Sequence, residues 1–203
     1  TYSLEKTSNN IIKSAGKSEV VSLLTICRLE KRKGILPVLR CLSNLNTNNL
    51  LKPFKWNICG EGLQFEELKE NIKKLNLSKN VFLDGKINGN LKQKFLESSD
   101  VFVMPSYKVN NSIEGFGISY IEAAAYRIPS IAGLDGGVTD AVIDNKTGWC
   151  VDPLNQEQLA NVLTDAINNK DQRQKYGLHA EKNFLQYFLG EKVFRKFMDT
   201  ISI

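Results

Sequence analysis

Glu114-Gly115-Phe116-Gly117-Ile118-Ser119-Tyr120-Ile121-Glu122 is the stretch that decides how this chain reads. The apolar Ile118, Ile121, Ala124 and Ala125 recur at helical spacing, which predicts a helix over 117–126. Gly115 and Gly117 let the backbone come close to a ligand just before that helix. The first N–H groups of a helix have no intrahelical partner and sit at the positive end of its dipole, so they suit an anion such as a diphosphate. Glu114 and Glu122 bracket this turn as hydrogen-bond acceptors for hydroxyl groups.

On both sides of this stretch, short apolar runs alternate with longer segments of helical periodicity. Residues 20–26, 56–59, 81–83, 101–104, 130–132 and 149–151 read as buried strands bounded by Gly, Pro or Asp. Helical periodicity covers 35–45, 66–75, 91–98, 117–126 and, briefly, 138–143. The Asn-rich 42–51 reads as a loop. From Gln156 onward the chain reads as helical, with Leu159, Val162, Leu163, Ala166 and Ile167 on one stripe, followed by Phe184, Tyr187, Phe188, Val193, Phe197 and Ile201. Strand then helix, repeated, predicts an α/β fold with a doubly wound parallel sheet and closing C-terminal helices. With 203 residues the chain makes one domain, with a core over about 20–170 and closing helices over about 171–203.

Composition narrows the function classes. The net charge of +5 is spread along the chain and interleaved with Asp and Glu, so it reads as a solvated surface and not as a nucleic-acid stripe. An anionic small ligand or a membrane face stays open as a partner. Cys27, Cys41, Cys59 and Cys150 stand singly, which predicts buried reduced thiols and a cytoplasmic setting. Together with the lone His179, expected on a helix surface, they do not make a zinc pattern. No run approaches the roughly 18 apolar residues of a spanning helix.

In an open α/β sheet, ligands gather outside the carboxyl ends of the strands. Arg28 and Lys33 follow the first strand, Gly60 to Gly62 the second, Gly85 and Lys86 the third, the stretch with Glu114 the fourth, and Gly136 and Gly137 the fifth. A single cleft is therefore expected to receive all of them. Fixed cations and backbone donors there would stabilise negative charge developing on a leaving phosphate. Gly60 and Gly62 read first as tight-turn residues, and Asp135 and Asp140 as loop carboxylates without an evident role.

The stretch 114–122, continued by Ala123-Ala124-Ala125-Tyr126-Arg127-Ile128-Pro129-Ser130-Ile131-Ala132, resembles the Glu-x7-Glu signature of retaining GT-B glycosyltransferases, the family called group 1. Arg28-Leu29-Glu30-Lys31-Arg32-Lys33-Gly34, Gly60-Glu61-Gly62 and Gly136-Gly137…Thr147-Gly148…Asp152-Pro153 follow in that family's order, so the resemblance spans roughly residues 20–170. Two positions depart from it: Cys27 stands where a glycine usually precedes the arginine, and Thr139-Asp140 where Pro-Glu is common.

The resemblance implies the Rossmann-like, donor-binding half of such an enzyme, with the N-terminal acceptor domain absent. It assigns catalysis to Arg28, Lys33 and Glu114. Donor binding falls to Phe116, Gly117, Ile118 and Ser119 through backbone N–H groups, to Glu122 on the ribose, to Gly85 and Lys86 near the base, and to Gly136 and Gly137. It further implies no metal and no cofactor, a UDP- or GDP-linked sugar as donor, and a glycan or glycolipid acceptor. The setting it implies is cytoplasmic, with the full enzyme at the inner face of a membrane. Four other readings stay open: a sugar-nucleotide epimerase of the same architecture, a non-catalytic nucleotide-sugar-binding module, a glycosidase using the two glutamates, and a nicotinamide-dependent oxidoreductase. No Gly-x-Gly-x-x-Gly follows the first strand to favour the last.

Overall fold

The computed structural model describes residues 20–189. Among these residues six strands, β1 (Val21–Ile26), β2 (Phe54–Cys59), β3 (Val81–Gly85), β4 (Val101–Met104), β5 (Ser130–Ala132) and β6 (Gly148–Cys150), form one sheet in the order β3-β2-β1-β4-β5-β6. All five neighbouring pairs are parallel. The chain leaves β1 toward β2 and β3, then returns to place β4 on the other side of β1, so the strand order reverses between β1 and β4. This is the doubly wound arrangement expected from the alternation. Val193, Phe197 and Ile201 lie outside the described residues.

Among the described residues, seven α-helices cover the two faces: α1 (Ile35–Thr47), α2 (Phe65–Lys74), α3 (Gly89–Ser98), α4 (Ile118–Ala125), α5 (Val138–Ala141), α6 (Gln156–Asn168) and α7 (Lys170–Tyr187). Parallel strands bury both faces, and β1 divides its side chains accordingly. Leu23 joins Trp56, Val103 and Ile131 under α1, α2 and α6, whereas Leu24 joins Phe102, Met104, Tyr120 and Val138 under α3, α4 and α5. α7 packs along α4 through Ala124, Ala180 and Phe184.

The buried polar groups of the sheet are paired. Trp56 Nε1 donates to Thr25 Oγ1 at 2.9 Å, and that hydroxyl donates to the carbonyl of Val103. Asparagine side chains cap three helices: Asn88 accepts from Leu91 N, Asn155 from Gln158 N and Asn169 from Gln172 N.

One expectation fails locally. The Asn-rich 42–51 is not a loop throughout, because α1 continues to Thr47. Leu42 and Leu45 extend the buried stripe of Ile35, Val38 and Leu39, and their burial outweighs the weak helix propensity of the asparagines between them. Other boundaries among the described residues move by at most two residues.

Candidate functional site

The carboxyl ends of β1, β2 and β3 and the start of α4 enclose a cavity of about 540 Å³, lined by Arg28, Gly60 to Gly62, Lys86, Ile87 and Ser119 with Cys27 and Cys59 at its floor. It sits at the side of the reversal in strand order. Arg28 is open to it and to solvent, 83% exposed, with Glu30 3.4 Å away. Burial pushes the thiols of Cys27 and Cys59 up to about 12, so both are neutral at physiological pH.

α4 begins at Ile118 with Gly117 as its N-cap and no side chain capping it. Its first N–H groups are therefore left for a ligand or water. The Ser119 hydroxyl is committed elsewhere, donating to the carbonyl of Ile26 at 3.0 Å and tying α4 to the end of β1. Ile118 is exposed, and Phe116 packs its ring against Phe188 with centroids 5.7 Å apart.

Glu114 lies beside this helix start, not in the cavity. Its Oε2 accepts from Lys33 Nζ and, at 2.8 Å, from Arg32 Nη1, and little of either the Lys33 or the Glu114 side chain meets solvent, 8% and 11%. Arg32 also reaches Glu30 at 3.0 Å. Burial alone would push the Glu114 carboxyl up, but the hydrogen bonds and charges of Lys33 and Arg32 outweigh it and hold the group below its ordinary value. The carboxylate is ionised and doubly held. Lys33 comes to it from a short 3-10 turn, Lys31–Lys33, that ends at Gly34 in the left-handed region, φ 74°. A Cβ at Gly34 would collide with the carbonyl of Pro105, so the turn packs tightly against the end of β4.

Glu122 stands one turn further along α4 and pairs with Lys92 of α3, Nζ to Oε1 2.5 Å. Gly85 closes β3 and accepts from Gly60 N at 2.7 Å. Gly136 and Gly137 meet the carbonyls of Glu114 and Gly115 so closely that neither leaves room for a Cβ. Asp135 next to them accepts from Lys108 N at 2.7 Å, which gives this carboxylate a structural task that sequence did not show.

Residues 7–183 match the family Glycosyl transferases group 1. The chain belongs to that family. Of the relatives similar to this group 1 chain, poly(ribitol-phosphate) alpha-N-acetylglucosaminyltransferase of Staphylococcus aureus is 30% identical over 149 residues, 73% of this chain and 29% of that protein. The GDP-mannose-dependent alpha-(1-6)-phosphatidylinositol monomannoside mannosyltransferase of Mycolicibacterium smegmatis is 29% identical, over 71% of this chain and 38% of that protein. The chain thus spans only about a third of the length of these relatives.

Among solved structures, S. aureus TarM, crystallised as a variant with Fondaparinux, alpha-GlcNAc-glycerol and UDP, superposes with a TM-score of 0.74 at 26% identity, over 91% of this chain and 36% of that one. Anabaena HepE in complex with UDP and glucose gives 0.76 at 20% identity, over 91% of this chain and 48% of that one, a likeness of fold. The C-terminal domain of the Francisella tularensis group 1 protein LpcC gives 0.70 at 23%, and there the overlap covers 83% of this chain and 86% of that one. The fold is that of the parallel-sheet half of GT-B glycosyltransferases.

Two cations that no local pattern singles out hold the paired glutamates of this group 1 chain: Arg32 on Glu114 and Lys92 on Glu122. Arg32 belongs to the basic segment Arg28–Gly34, and only the fold decides which of its cations turns toward Glu114. Lys92 is 30 residues from its partner, on a different helix, and no local spacing signals it. Of the expected site residues, Arg28, Lys86 and Ser119 line the cavity, whereas Lys33, Glu114 and the Gly136-Gly137 pair lie beside it around the start of α4. Among the described residues no cluster of three or more His, Cys, Asp or Glu could hold a metal, and no helix is long and apolar enough to cross a membrane.

Proposed function

We propose that this chain is the donor-binding part of a retaining glycosyltransferase, moving a sugar from a nucleoside diphosphate-sugar to an acceptor held by a separate N-terminal domain. The observation that carries the reading is the uncapped start of α4 opening beside the Arg28-lined cavity, with two ionic carboxylate sites flanking it. The diphosphate meets the backbone N–H groups of residues 117–119 and Arg28, the sugar lies toward Glu114, and the ribose toward Glu122. Lys86 and Gly85 border the base, and Gly136 and Gly137 set the loop against which Glu114 rests.

As the bond from the sugar to the diphosphate breaks, its electron pair leaves with the β-phosphate. Fixed cations and backbone dipoles act on that developing charge without having to reorganise. Glu114 is a poor general acid, since two cations hold it ionised, and their pairing with its charge lowers its nucleophilicity. This supports a mechanism in which the departing phosphate itself takes the acceptor proton on the same face, with no covalent protein intermediate. It also weighs against a glycosidase pair. The relatives named for ribitol-phosphate polymers and phosphatidylinositol mannosides support a polymer or lipid-linked acceptor, hence an enzyme working at the cytoplasmic face of a membrane.

Calorimetric titration with UDP, GDP, ADP and NAD, repeated on Glu122→Ala, tests this reading. One diphosphate should bind and should weaken in the variant. Binding of NAD alone would replace the reading with a nicotinamide enzyme. The chain on its own should bind nucleotide with almost no transfer, and turnover onto a simple acceptor would sink the two-domain scheme.

A further inference from the structure

Lys92 lies outside every stretch that carries the resemblance, yet it holds one of the two glutamates of the Glu-x7-Glu stretch. It sits in the first turn of α3, where the Asn88 side chain accepts from Leu91 N and the Asn88 carbonyl accepts from Lys92 N, both at 2.9 Å. From there its ammonium reaches across to α4 and takes Glu122 Oε1. Oε2 of Glu122 has no hydrogen bond within the described residues. Both side chains are about one-third exposed, 31% and 33%, and an ion pair this accessible to water adds little to stability. Its effect is geometric. A lone glutamate samples several rotamers and must be ordered when a ligand binds, whereas one anchored through a single oxygen presents the other in a fixed place.

We infer that Lys92 is a positioning residue for the nucleoside end of the donor: by fixing Glu122 it sets the preference for a ribose diol over a 2′-deoxyribose. This rests on the sugar-nucleotide reading above. A carboxylate oxygen in a set position accepts from the 2′-hydroxyl with good geometry, and a deoxy ligand leaves that acceptor unmet. The competing idea, that Lys92 merely attracts the diphosphate by its charge, predicts equal effects on ribo and deoxy forms.

The 203-residue chain is titrated with UDP, GDP and ADP to find the diphosphate that binds, and then with the 2′-deoxy form of that diphosphate. A charged hydrogen bond to the hydroxyl corresponds to a preference of about tenfold or more for the ribo form in the parent chain. Lys92→Met and Glu122→Gln should each cut that preference to about threefold or less, and Lys92→Arg should restore most of it, with the melting temperature of Lys92→Met nearly unchanged. If Lys92→Met keeps the full preference, or weakens both forms equally, the inference fails while the sugar-nucleotide reading stands. If the parent chain binds no diphosphate, both fail.

Discussion

At the scale of single residues, the decisive feature is one carboxylate shared by two cations. Removing the charge of Glu114 leaves Lys33 in a nearly closed place without its partner. Glu114→Gln should therefore destabilise the fold by roughly 2–3 kcal/mol, below the ~3–5 kcal/mol of a fully enclosed pair because about a tenth of each side chain still meets water. Urea unfolding measures this. The pH dependence has a fixed sign. The folded carboxyl lies below its ordinary value of 4.5, so its contribution is complete above that pH and is lost as pH falls through the lower folded value. The stability gap between the parent and Glu114→Gln should narrow steadily as unfolding is repeated from about pH 6 down to about pH 3. Ser119 makes the opposite case. Its hydroxyl serves Ile26, so Ser119→Ala should cost about 1 kcal/mol in stability and leave diphosphate affinity within about threefold, because only its N–H is free for the ligand. Both glutamates were legible in the sequence from their glycine setting and the helix after them. Their cationic partners were not, since Arg32 and Lys92 meet them only once β1, β4 and α3 are in place.

Elements carry the next constraint. The 3-10 turn that aims Arg32 and Lys33 inward ends on Gly34, where a left-handed φ and contact with the Pro105 carbonyl coincide. Gly34→Ala should cost at least about 1–2 kcal/mol from the backbone conformation alone. It should also weaken donor binding more than its stability loss explains, because the turn must shift; thermal melts and a nucleotide titration on the same sample separate the two. Most elements are legible directly as apolar runs, and β4 and β5 coincide with the runs 101–104 and 130–132. Asn44, Asn46 and Asn48 look like loop residues in isolation, so the local pattern does not carry α1 to its end. What extends the helix is burial of Leu42 and Leu45 against the sheet, a tertiary effect that no local window contains.

For the whole molecule, any ligand that binds the folded chain and not the unfolded one adds stability by mass action, about 2.7 kcal/mol at a hundredfold excess over its dissociation constant. A melting scan with the cognate diphosphate should show that rise, and noncognate diphosphates should not. The sheet also has an uneven weave. β1 and β2 match over six residue pairs, from Val21 to Ile26, whereas β1 and β4 match over two, Leu23 with Val101 and Leu24 with Phe102. A three-strand block on each side thus meets along a short join, and the proposed ligand cavity opens over the head of the β1-β2-β3 block beside it. A bound diphosphate should act as a clasp on the three strand ends that border the cavity, read as slowed amide hydrogen exchange at the carboxyl ends of β1, β2 and β3 with little change in β5 and β6.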